Sequence, residues 1–133
     1  LARDGIGQSE AAVRHLRRAL ALKPDMTRAE RVLAWVLATD PDERLRNGPE
    51  AVELATRACA KTKKAVARCL DTLAAAYAEA GRYPEAVKTA TDAEVAAVQA
   101  RDGKAAETIR ARRASYEAGK PYRRQHHART SED

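Results

Sequence analysis

The stretch Leu73-Ala74-Ala75-Ala76-Tyr77-Ala78-Glu79-Ala80-Gly81-Arg82-Tyr83-Pro84-Glu85-Ala86-Val87-Lys88-Thr89-Ala90 decides the fold. Alanine has the strongest helix propensity of any residue, and it dominates both halves of the stretch. Gly81 interrupts them, and Pro84 stands where a first helical turn needs no N–H partner. The reading is therefore helix, tight turn, helix. Residues three and four apart share a face of a helix, so Leu70, Leu73, Ala74 and Tyr77 are expected to point inward.

Working outward, the second half of this hairpin recurs. Glu10-Ala11-Ala12-Val13, Glu50-Ala51-Val52-Glu53 and Glu85-Ala86-Val87-Lys88 align at Ala12, Ala51 and Ala86, intervals of 39 and 35 residues. The first half recurs as Leu33-Ala34-Trp35-Val36-Leu37-Ala38, 40 residues before Leu73. Breakers divide the rest into helices. Pro24 closes the first, and Thr27-Arg28-Ala29-Glu30 has the capping-box pattern that opens a second. Pro41 disfavours helix at Asp40 and ends it. Asn47-Gly48-Pro49 opens the third, and Lys61 to Ala65 reads as a connector to the fourth. The fifth is expected to run long, to about Arg101, with Asp102-Gly103 ending it. The sixth, Lys104 to about Ala118, carries Ala105, Ile109, Arg112 and Tyr116 on one side and stops at Gly119, with Pro121 beyond. From Tyr122 to Asp133 the composition is polar and reads as a disordered tail.

Leu73-Ala74-x-x-Tyr77 followed by Gly81-x-Tyr83-x-x-Ala86-x-x-x-Ala90-x-x-Ala93 resembles a tetratricopeptide repeat, whose period is roughly 34 residues. Gly7, Ala12, Leu16, Ala19, Leu20 and Pro24 are similar to the second half of another. Leu33 to Ala58 is similar to a third, with about five extra residues in its loop. The combination Leu-Ala-x-x-Leu-Ala-Thr, an acidic loop, then Ala-Val-Glu-Leu-Ala, together with Tyr116-Glu-Ala-Gly-Lys-Pro-Tyr122, resembles C-terminal arrays of this family in large multidomain bacterial proteins. The resemblance implies a right-handed superhelix of about two and a half repeats over residues 1–121, capped by the sixth helix. The first repeat lacks its first helix, and Leu1 is not Met, so a piece of a longer array is expected. Self-association through the open N-terminal end is a further expectation.

Composition agrees with an all-α chain. Hydrophobic residues make up 44% but aromatics only 4%, with no Phe, which leaves little to build a sheet. The net charge of +6 attracts acidic partners without deciding fold. No apolar run approaches the roughly 18 residues of a membrane span, and the compartment stays open. Lys61, Lys63, Lys64 and Arg68, with Arg123, Arg124 and Arg129, could meet phosphates, but aromatic side chains for base stacking are nearly absent, so nucleic acid is disfavoured.

No nucleophile–base pair, carboxylate pair in an apolar setting or Gly-rich phosphate loop is present, so neither catalysis nor a cofactor is expected. Asp40-Pro41-Asp42-Glu43 lacks the glycine spacing of a calcium loop and reads as a solvated turn. His126-His127 has no further ligands for a metal. His15 reads as a surface residue. Cys59 and Cys69 flank one connector; they read as small buried residues, with a disulfide open.

In the resembling family the first helices of successive repeats line a concave groove that holds extended peptides or helices. The matching positions are Arg28, Arg31 and Trp35 on the second helix, beside Arg68, Asp71 and Thr72 on the fourth, while Leu33, Ala34 and Leu37 turn inward. Arginines make bidentate bonds to carboxylates and Trp offers a large apolar contact, so an acidic protein or peptide segment is the expected partner. Trp35 also fits a packing position, and the arginines fit a solvated face. The arrays that clamp a C-terminal carboxylate use Lys and Asn at comparable places. Neither stands there, so that ligand is not expected.

Overall fold

A computed structural model describes residues 2–63 and 66–125, and within them the chain is all helix, with no strand. Lys64 of the basic cluster, and His126, His127 and Arg129 of the tail, lie outside the described residues. The helices are α1 (Ala2–Leu22), α2 (Thr27–Thr39), α3 (Gly48–Lys61), α4 (Val66–Glu79), α5 (Tyr83–Gln99) and α6 (Gly103–Glu117).

Consecutive helices pack on one another, and α4 also lies against α2. Contacts at their ends set the directions. Glu30 near the start of α2 meets Arg57 and Lys61 near the end of α3, so these two run antiparallel. Gly48 opens α3 against the backbone of Ala80, just past the end of α4. Glu94 of α5 pairs with Arg110 and Arg113 of α6 across their turn. Helices α2 and α4 consequently lie parallel and side by side.

Small side chains make this closeness available. On α5, Ala86, Ala90, Ala93 and Ala97 are fully buried, a stripe at helical spacing that lets α4 and α6 approach its backbone. Ala106, Ile109 and Tyr116 of α6 close that end of the core. Leu33, Ala34 and Leu37 are buried as expected, within a cluster shared by α1 to α4. On α4 the expected division holds only in part. Ala74 is buried as expected, but Leu70, Leu73 and Tyr77 are only half-buried, and Thr72, expected on the groove face, is buried, as is Ala75. The helix is packed on three sides, by α2, α3 and α5, so no single stripe carries its core.

Three turns end their helices in one way. The chain crosses into positive φ at Gly81, Arg101 and Gly119. The N–H of the following residue then reaches back to a carbonyl five residues earlier: Arg82 to Tyr77, Asp102 to Ala97 and Lys120 to Ser115. Helix α5 therefore stops at Gln99, short of Arg101, and Asp102 opens the next helix by accepting from the Ala105 N–H at 3.0 Å.

The capping box at Thr27–Glu30 does not form. Met26 takes the cap position without a side-chain bond, and Thr27 is already helical. Glu30 is buried and turned to α3, where its two oxygens meet Arg57 Nε at 3.1 Å and Lys61 Nζ at 2.8 Å. A buried carboxylate gains more from two cations than from one backbone N–H. Asn47 does cap α3, accepting from the Glu50 N–H at 3.1 Å, with Pro49 in the first turn.

Candidate functional site

The face made by α2 and α4 has three zones, ordered along the helices. At the N-terminal ends stand Arg28, Arg31 and Arg68. None forms an ion pair with a described residue. Partial burial, and then the Arg68 charge, pull the Arg31 guanidinium below its ordinary value, and the Arg28 charge adds a lesser push the same way. Cations at helix N-termini also oppose the helix dipole. Beside this zone, a cleft of about 900 Å³ between α4, α5 and α6 is lined by Lys63, Arg68, Lys104 and Arg112 among others.

The middle zone is aromatic. Trp35 is half-buried beneath Tyr122, ring centroids 5.7 Å apart at 36°. The Arg112 guanidinium of α6 sits 5.0 Å from the Trp35 centroid and 4.7 Å from that of Tyr122. Each such contact contributes about 0.5–2 kcal/mol according to how dry it is. The same Arg112 pairs with Asp71. Burial raises the Asp71 carboxyl above its usual range while the Arg112 charge holds it down. Burial, and then the Asp71 charge, push up the Tyr116 hydroxyl.

At the C-terminal ends the face is acidic. Asp40, the residue after α2, has a wholly buried side chain, and Glu79 is the last residue of α4. Across them lies the chain's own segment Pro121–Gln125, turned back by Gly119. The Arg124 N–H donates to the carbonyl of Thr39 at 2.7 Å, one of the α2 carbonyls left over at the helix end. Its Nη2 donates to Asp40 Oδ2 at 2.7 Å and to Ser9 Oγ at 3.0 Å. Arg123 Nη2 lies 2.8 Å from Glu79 Oε1, and Arg46 Nε 3.3 Å from Glu79 Oε2.

These positions revise four expectations. Thr72 is not on the face: it is buried, and its hydroxyl donates to the Arg68 carbonyl at 3.0 Å, within its own helix. Asp71 is taken up by Arg112. Asp40 is not part of a solvated turn, although Glu43 and Arg44 near it are exposed, and its cation is an arginine rather than a metal. Tyr122 to Gln125 are not a free tail. The structure keeps Arg28, Arg31 and Arg68 together and places Trp35 seven residues along the same helix from Arg28. It adds Asp40, Glu79, Arg112 and Tyr122, which the sequence reading left out of the site. Proline at 121 and the aromatic at 122 were the available signals.

Elsewhere, Cys59 and Cys69 are free thiols. Burial, and then the neighbouring Cys69, push the Cys59 thiol up to about 12. No three His, Cys, Asp or Glu side chains among the described residues are grouped to hold a metal ion. No described helix is long and apolar enough to cross a membrane. Compared with known proteins, the chain matches no family model, no curated protein and no solved structure.

Proposed function

We propose that this chain is a protein-interaction module of the tetratricopeptide-repeat kind, a right-handed stack of helix hairpins whose α2–α4 face takes an extended segment of another protein. One observation carries the reading: an extended segment, residues 121–125, already lies on that face through a main-chain hydrogen bond, an aromatic stack and two ion pairs. Main-chain bonding supplies affinity, and the side-chain seats supply choice. Arg28, Arg31, Trp35 and Arg68 remain as groove residues in this proposal, and Thr72 does not. The repeat spacing and the antiparallel pairing of successive helices support the stacked-hairpin part of it.

Peptides selected from a displayed random library on the full chain test the proposal. Binding peptides are expected to shift the emission of Trp35, the single tryptophan of the chain. They should be lost on an Arg31→Ala/Trp35→Ala variant whose circular dichroism is unchanged. If the folded variant retains the same peptides, or the wild type enriches none over an unrelated helical protein, the proposal fails. The second reading would then stand: a spacer inside a larger protein, with Tyr122 serving only to cover Trp35. That cover is the observation in its favour.

A further inference from the structure

We infer that the acidic end of the α2–α4 face is a seat for a basic segment, an aromatic residue followed by arginine, and that Tyr122-Arg123-Arg124 is its intramolecular occupant. This inference rests on the proposed function and names the partner's chemistry, reversing the acidic partner expected from Arg28 and Arg31 alone.

A helix C-terminus carries partial negative charge and disfavours a carboxylate. Asp40 caps the C-terminus of α2 and Glu79 ends α4, and these two termini lie side by side. Asp40 Oδ1 accepts from the Asp42 N–H at 2.8 Å in the turn after α2, which leaves Oδ2 for a cation, and among the described residues Glu79 makes no bond to its own helix end. A buried carboxylate needs a cation, and for the Asp40 side chain that cation is Arg124, because Arg46 spends its Nη1 on the Asp40 and Pro41 carbonyls. Two carboxylates, two helix ends and the Thr39 carbonyl make a seat complementary to an extended chain bearing guanidinium groups, with the half-buried Trp35 ring on the same face for an aromatic residue.

The present occupant fits incompletely. Arg124 uses only Nη2 on Asp40, and its buried Nε meets no acceptor among the described residues. One main-chain bond holds the segment to α2. A partner segment that brings a forked guanidinium onto Asp40 makes the better match and can exchange with it.

The test uses the full chain and a labelled synthetic peptide, Lys-Pro-Tyr-Arg-Arg-Gln, read by fluorescence anisotropy. In a Tyr122→Ala/Arg124→Ala variant the seat is vacated, and the peptide is expected to bind at least ten-fold tighter than to wild type. Adding Asp40→Asn should abolish that gain, and raising salt should weaken binding. Arg124→Gln, which leaves Tyr122 on Trp35, is the second variant should the double one unfold, with a smaller gain expected. Equal affinity for wild type and the folded vacated variant would overturn the inference, as would equal binding of Lys-Pro-Tyr-Glu-Glu-Gln. Light scattering covers the remaining occupant: a wild-type dimer that the vacated variant loses would mean that copies exchange their segments, and the intramolecular assignment would fall. Library peptides that are acidic and depend on Arg31 would leave the proposed function standing while refuting the basic partner. Absence of any selected peptide would remove both.

Discussion

Gly48 shows how much one residue decides. A Cβ there would stand 2.7 Å from the Ala80 Cα and nitrogen and 2.9 Å from the Glu79 carbonyl carbon, all backbone atoms that cannot swing aside. The close crossing of α3 and α4 exists because that Cβ is absent. Gly48→Ala should therefore cost about 1–3 kcal/mol in urea unfolding. At Gly103 a Cβ would meet nothing within 4 Å, so Gly103→Ala should change stability by no more than about 0.5 kcal/mol or raise it slightly. Equal effects at the two sites would contradict the crossing. In the sequence Gly48 read only as part of a helix start, because the clash it avoids is with residues more than thirty positions later. Glu30 was misread for the same reason. Thr27-x-x-Glu30 satisfies the local capping pattern, but Arg57 and Lys61 claim the carboxylate from another helix.

At the scale of the element, the helix boundaries were legible because Pro24, Pro41, Pro49, Gly81, Pro84 and Gly119 act locally. The end of α5 was less so. Arg101 adopts φ 60°, a region that suits glycine, and no side chain announces it. Arg101→Gly should stabilise the chain by about 0.5–1 kcal/mol, read as a higher urea midpoint at unchanged slope. A lower midpoint would mean that the Arg101 side chain contributes more than the backbone strain takes away. Helix α1 packs chiefly on α2 and is tied to α3 by Arg17, whose Nη1 and Nη2 meet the Glu50 oxygens at 2.7 and 3.1 Å. That hydrogen-bonded pairing holds the Glu50 carboxyl below its usual range. A depressed folded value means stability present at neutral pH and lost as pH falls below about 4.3, the ordinary glutamate value. The difference in urea midpoint between wild type and Arg17→Ala should accordingly shrink between pH 7 and pH 3. A constant difference would show that the pair is too solvated to matter.

Across the whole molecule, the all-helical architecture could be read from alanine content and breakers, and the candidate face only in part. Arg28, Arg31, Trp35 and Arg68 lie at helical spacings that a sequence exposes. Asp40 and Glu79 belong to the same surface, yet along the chain each looks like a polar residue at a helix end. What joins them is Tyr122–Arg124, a short polar segment whose partners on α1, on α2 and at the ends of α2 and α4 stand between 44 and 115 residues away. No local pattern reports contacts at that distance. The resulting face is cationic where α2 and α4 begin, aromatic midway and anionic where they end, with the anionic part covered by the chain itself.

Amide hydrogen exchange at Arg124, followed by nuclear magnetic resonance in the full chain, tests this arrangement most directly. The account predicts an Arg124 N–H protected by the Thr39 carbonyl, together with cross-peaks between the Trp35 indole and the Tyr122 ring, both diminishing as Lys-Pro-Tyr-Arg-Arg-Gln is added. An Arg124 amide exchanging at the rate of an unstructured peptide, with no Trp35–Tyr122 cross-peak, would contradict it.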